Sequence, residues 1–232
     1  MSHWKPKPIN DLEVKTPLEK IQAWAKKRQE ILAVALIFVL LLAIGVPYYM
    51  KSRRQAENDA IQKLSIAQLY LNSQVDPKNG PFKSEMEKFQ TALQQFQQVT
   101  QQGAGTWAAK VATFYIGKCQ LVLGQNSQAY VSFDTASQQL GKTPLGEAAF
   151  VGKATALLLQ SKFKEAAGAL EQCLSTYPDG FLVSKVRLDL VDAYLQSGQK
   201  DKAVKLLQDL SKAKPGSNDA LEAARILKTL GQ

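Results

Sequence analysis

Residues 117–141 read GKCQLVLGQNSQAYVSFDTASQQLG, residues 154–178 read ATALLLQSKFKEAAGALEQCLSTYP, and residues 191–215 read VDAYLQSGQKDKAVKLLQDLSKAKP. The three segments start 37 residues apart and share one pattern. Each opens on a small or apolar residue (Gly117, Ala154, Val191) and reaches a turn residue seven positions on (Gly124, Ser161, Gly198). Five positions later comes an alanine (Ala129, Ala166, Ala203), and four after that a large apolar residue (Phe133, Leu170, Leu207). Each segment closes on Gly141, Pro178 or Pro215, residues that stop helices. The pattern extends upstream to Ala92, Phe96 and Ala104 at the same separations.

Such a repeat describes a helix, a tight reversal and a second helix. The first helix needs a small residue where a neighbour crosses closely. The second needs an alanine for close backbone approach, then a large side chain one turn on to fill the groove. One pair cannot bury both of its apolar faces, whereas several stacked pairs form a continuous core. The expected fold class is therefore all-α, a solenoid of helical hairpins. Pairs are expected at about 105–123 with 125–140, 144–160 with 163–176, and 181–197 with 200–213. An irregular first pair, 53–73 with 85–102, is interrupted by the turn-rich Asp76-Pro77-Lys78-Asn79-Gly80-Pro81, and a helix at about 217–230 caps the stack.

These positions resemble the tetratricopeptide repeat, with its G-x2-Y, A-x3-F and P at these separations. The match is degenerate: the aromatic after the first small residue is Tyr194 in one repeat but Gln120 and Leu157 in the others, and the period is 37 rather than 34. The resemblance implies a concave surface lined by first helices. Its groove-facing positions map onto Val111, Phe114, Lys118, Val151, Thr155, Leu158, Lys185, Leu188 and Asp192. One subset of the family grips a C-terminal carboxylate with an Asn/Lys/Arg cluster. Phe114 and Tyr115 stand where part of that cluster would be, so the role is not transferred. On this placement Phe114→Asp weakens partner binding more than stability, while Ala166→Trp overpacks a helix crossing and unfolds the local repeats.

Outward from the repeats, residues 31–50, ILAVALIFVLLLAIGVPYYM, form a run of 20 without a charge. As a helix it measures about 30 Å, the thickness of a bilayer's hydrocarbon core. Trp24 on one side and Tyr48 and Tyr49 on the other suit headgroup level, with Lys26, Lys27, Arg28, Lys51, Arg53 and Arg54 as flanking cations. The run reads as a single transmembrane anchor; a cleavable signal peptide with a small-x-small site at Ala43-Ile44-Gly45 is the competing reading. Five basic residues before the run against four after it favour a cytoplasmic N-terminus. Residues 16–30 start with a capping box, Thr16-Pro17-Leu18-Glu19, and carry an apolar stripe of Leu18, Ile21 and Trp24. They form either an amphipathic juxtamembrane helix or an extension of the membrane helix. Residues 1–15, with Pro6 and Pro8 among lysines, read as a disordered basic tail, leaving 51–232 as the repeat domain.

The whole chain is 45% hydrophobic and 21% charged, with a net charge of +9. The lysines of the repeat region are scattered and mostly beside acids, so no basic stripe interleaved with aromatics supports nucleic-acid binding. One histidine, His3, and two cysteines, Cys119 and Cys173, supply no metal site, cofactor site or catalytic triad. Both cysteines fall on core-facing positions. The glutamines Gln94, Gln95, Gln97, Gln98, Gln101 and Gln102 read as a solvated helix face. Enzyme motifs are absent, which points to a binding protein.

A short charged tail, an amphipathic segment, one anchor ending in tyrosines and a degenerate repeat domain of about 180 residues together resemble the YfgM-type bacterial proteins, from about Leu18 to the end of the chain. That resemblance implies a bacterial inner-membrane protein with its repeats in the periplasm. It implies association with translocon subunits, a membrane-anchored chaperone and exported chains, and no catalytic residues. The alternatives are a scaffold for another envelope assembly, such as a secretion or division machinery, and a cytoplasm-facing regulator.

Overall fold

A computed structural model of the chain describes residues 16–18, 21, 24, 26, 28–213 and 216–231, with the side chain of residue 32 left aside. The tail 1–15, Glu19 of the capping box, Lys20, Lys27 and Pro215 lie outside the described residues. The described elements are helices: α1 Gln29–Asn72, α2 Glu85–Gln102, α3 Trp107–Val122, α4 Asn126–Leu140, α5 Pro144–Leu158, α6 Phe163–Thr176, α7 Val183–Gln196, α8 Lys200–Ala213 and α9 Asn218–Thr229. From α2 onward each helix packs against the next, and α3 also touches α5. The chain divides into two compact units, Met1–Arg54 and Gln55–Gln232, and the division falls within α1.

Within the first unit, Pro17, Leu18, Ile21, Trp24 and Lys26 are helical and exposed. The apolar run follows inside α1, the described helix long and apolar enough to cross a membrane, and none of its apolar window is buried against protein. Pro47 lies inside this helix, where it removes one backbone donor; spanning helices tolerate that where neighbours or water compensate.

In the second unit the repeat logic becomes packing. Ala92, Ala129, Ala166 and Ala203 are all 0% exposed, and Phe96, Phe133, Leu170 and Leu207 are at most 1% exposed. These residues seed three consecutive cores. The first joins Ala60 and Ala67 of α1 to α2 and α3; the second centres on Phe133; the third runs from Val151 to Ala223. The Phe133 ring is held between two glycines. A Cβ on Gly117 of α3 would stand 3.0 Å from the ring, and one on Gly152 of α5 only 2.6 Å. Glycine is required there by close approach, which lets one aromatic ring of α4 serve both flanking first helices.

The helix reversals recur with the same period. The backbone N–H groups of Gln125, Lys162 and Gln199 donate to the carbonyls of Gln120, Leu157 and Tyr194 at 2.8, 3.0 and 2.8 Å. Each is the six-residue closure of a Schellman motif, with Gly124, Ser161 and Gly198 in the left-handed region at φ +73°, +58° and +78°. The 37-residue signal thus marks the residues that need positive φ. Ser161 is the side-chain-bearing member of the set and is strained there. Ser161→Gly is expected to stabilise the fold by about 0.5–1 kcal/mol, raising Tm by roughly 2–3 °C, whereas Gly124→Ala lowers it. Thermal melts followed by circular dichroism check both signs.

Side-chain caps start α2, α3, α5 and α9. Ser84, Thr106, Thr143 and Ser217 accept from Glu87, Ala109, Gly146 and Ala220, respectively, and Pro144 opens α5. Helices α4 and α6 follow the tight turns directly and have no side-chain cap. The connection before α2 folds on itself, with Gly80 donating to the Asp76 carbonyl, and Phe82 anchors it edge-on against Tyr70 at 6.0 Å.

Candidate partner-binding groove

Two buried or bridging carboxylates fix where the first helices start. Glu57 of α1 accepts from the N–H groups of Trp107 and Ala108 at 2.9 and 3.1 Å, at the N-terminus of α3. Glu147 of α5, 2% exposed, accepts from Phe181 and Leu182 at 3.0 and 2.9 Å, just ahead of α7. In both cases an acid meets free donors and the positive end of a helix dipole. Gly180 permits the second contact, because a Cβ there would stand 2.1 Å from a Glu147 oxygen. Glu147→Ala is expected to cost about 2–3 kcal/mol by leaving two donors unpaired; urea denaturation measures it.

The nine residues assigned to the groove divide by burial. Lys118, Lys185 and Asp192 are exposed, and Thr155, Leu158 and Leu188 are half-buried. Val111, Phe114 and Val151 are instead buried, at 9%, 8% and 6% exposure. Phe114 packs edge-on against Phe133 at 5.7 Å and against Tyr115 at 5.3 Å, and Tyr115 stacks on Phe96 at 5.1 Å. This aromatic chain joins the first core to the second, so Phe114 belongs to the core and is not a contact surface. The expectation that Phe114→Asp spares stability is corrected accordingly.

The 37-residue period gives α3, α5 and α7 rows of equivalent positions. One row is Lys118, Thr155 and Asp192; the next is Leu121, Leu158 and Leu195, each half-buried. Leu121 and Leu195 were not singled out from the sequence, although stepping 37 residues from Leu158 in either direction finds both. The Lys118 ammonium lies 5.9 and 5.5 Å from the Phe114 and Tyr115 ring centroids, which holds its stem along the two rings. Thr155 donates to the Val151 carbonyl at 2.9 Å. Lys185 is paired with Asp189 at 2.7 Å, and Asp192 accepts a long bond from the Gln196 amide at 3.5 Å. Lys153 faces elsewhere, between the Tyr130 and Phe150 rings and 2.6 Å from Asp134.

A tetratricopeptide repeat family model matches residues 157–230. Solved structures with a similar course include the nearly identical TPR-like repeats of a Podosopora anserina kinesin light chain and a single-residue variant of it. Each is 16% identical, covers 75% of this chain and 85% of its own, and gives a TM-score of 0.56. A third is YrrB, described as a TPR protein with an unusual peptide-binding site, at 17% identity, 79% and 83% coverage and a TM-score of 0.52. No curated protein matches the chain. The fold is a TPR-like helical solenoid.

In this TPR-like solenoid the two thiols are packing groups. Cys119 and Cys173 are free and buried, and burial pushes their pKa values up to about 12 and about 11, far from thiolate reactivity at neutral pH. Tyr194 is likewise pushed up to about 12, first by burial and then by its hydrogen bond to Glu171. The residues flanking the apolar run are exposed where described: Trp24 with Arg28 5.7 Å from its ring centroid, Tyr49 with Arg53 at 5.8 Å, and Lys26, Tyr48, Lys51 and Arg54.

Proposed function

We propose that this protein is a membrane-tethered adaptor that holds segments of partner proteins in the groove of its TPR-like repeats. The observation that carries the reading is the pairing of an unburied 20-residue apolar run with a repeat domain whose first helices present a row of half-buried leucines. Apolar surface of the first kind suits lipid, and the part of the core-packed leucines left open to solvent suits a protein partner. In this reading residues 31–50 are the anchor, 16–30 lie at its inner surface, and 51–232 form the repeat domain.

The resemblance to YfgM-type proteins supplies the setting: a bacterial inner membrane, the N-terminus cytoplasmic and the repeats periplasmic. The partners are translocon subunits, a membrane-anchored chaperone and exported chains. The peptide-binding site in the description of YrrB is compatible with a groove that takes an extended or helical segment. Affinity purification of the detergent-solubilised full-length protein is expected to recover translocon or chaperone subunits; recovery of neither sinks the translocon assignment. A cysteine at the exposed Asn79 should label only from the periplasmic side, and labelling from the cytoplasmic side alone overturns the topology.

A further inference from the structure

The charge of the repeat domain is not evenly spread. Residues 55–232 hold 19 Lys/Arg and 16 Asp/Glu, a net of +3. Residues 103–164 hold six lysines and two acids, +4, whereas 55–102 balance four against five and 165–232 nine against nine. Both acids of the central stretch are already engaged: Glu147 with the two N–H groups ahead of α7, Asp134 with Lys153. Helix α3 carries Lys110 and Lys118 and no acid.

This bias reaches the groove at one repeated position. Across α3, α5 and α7 it reads Lys118, Thr155, Asp192, so the charge runs from positive through neutral to negative along the stack. Lys118 has no ion-pair partner among the described residues, and Asp192 meets only the neutral Gln196 amide at 3.5 Å. The neighbouring cation on α7, Lys185, is neutralised by Asp189. One helical turn away, the row Leu121, Leu158 and Leu195 is apolar throughout.

Building on the groove reading, we infer that the occupant is a protein segment with an apolar edge and opposite charges at its two ends, lying with its acidic end over α3 and its basic end over α7. The leucine row provides affinity through burial, and the charged row sets the direction in which the segment lies. A segment placed the other way brings like charges together at both ends, so the same contacts that favour one orientation penalise the reverse.

The test uses full-length protein in nanodiscs and five blocked peptides that share one Leu/Phe centre and differ only in their flanks. Two are mixed, with a triple-glutamate flank at one end and a triple-lysine flank at the other, in either order along the chain. The remaining three carry glutamates at both ends, lysines at both ends, or serines at both ends. The two mixed peptides are expected to bind about fivefold tighter than the serine-flanked one. A benzophenone at the glutamate end should crosslink to residues 107–122, and in the Lys118→Glu/Asp192→Lys variant the crosslinks should move to residues 183–196. That relocation is not produced by a change in stability. Equal binding of all five, or crosslinks shared equally between the two helices, overturns the charge polarity while leaving the groove standing. Absence of binding by every peptide overturns the groove reading and the inference with it.

Discussion

Truncating Phe133 to alanine is expected to lower the stability of the repeat domain by about 3–5 kcal/mol. The ring is 1% exposed and fills the space between Gly117 and Gly152 on two different first helices. Neither glycine has a side chain to move into the vacancy, so the cavity cannot collapse without shifting α3 or α5. The complementary change, Gly152→Ala, puts a methyl 2.6 Å from the ring and is expected to cost about 1–3 kcal/mol by overpacking. Combined with Phe133→Leu it should cost less than the sum of the two single changes, because the smaller side chain makes room for the methyl. Urea denaturation of the four proteins measures the coupling; strict additivity would place Phe133 outside this contact.

Replacing Phe114 by aspartate is expected to cost about 4 kcal/mol or more, and partner recovery should fall with stability. The substitution removes a ring that bridges two aromatic neighbours and puts a carboxylate into an 8%-exposed site lined by Tyr115 and Phe133. Lys118→Ala is the contrasting change: exposed and without an ion pair among the described residues, its loss should alter stability by less than about 0.5 kcal/mol. An unchanged melting temperature in Phe114→Asp would return Phe114 to the groove surface.

The helices were legible because the signals that define them are local and repeated. Ala129, Ala166 and Ala203 mark crossings that only a small side chain permits, and Gly124, Ser161 and Gly198 mark a φ that few residues adopt. Both constraints act within a few residues of sequence, so the period shows them directly. The groove was less legible. Family positions placed Phe114 on the surface, but an aromatic there finds Phe133 and Tyr115 within reach and turns into the core. Position in a repeat gives a direction from the helix axis; the size of the neighbours decides how much water remains. Glu147 could not be read at all, because its equivalents are Lys110 and Ser184 and its partners lie 34 and 35 residues on. Its role depends on a loop, Gly180-Phe181-Leu182, that is not repeated in the other connections.

A photo-crosslinking residue at Thr155, in full-length protein in intact membranes, tests the tethered-adaptor reading most directly. Thr155 is the middle of the charged groove row, and Gln172 on α6 is an exposed control. Thr155 is expected to give an adduct with a second protein that stays with the alkali-washed membrane, and Gln172 is expected to give none. Adducts of equal yield from both positions, or an adduct that washes off the membrane, would contradict it.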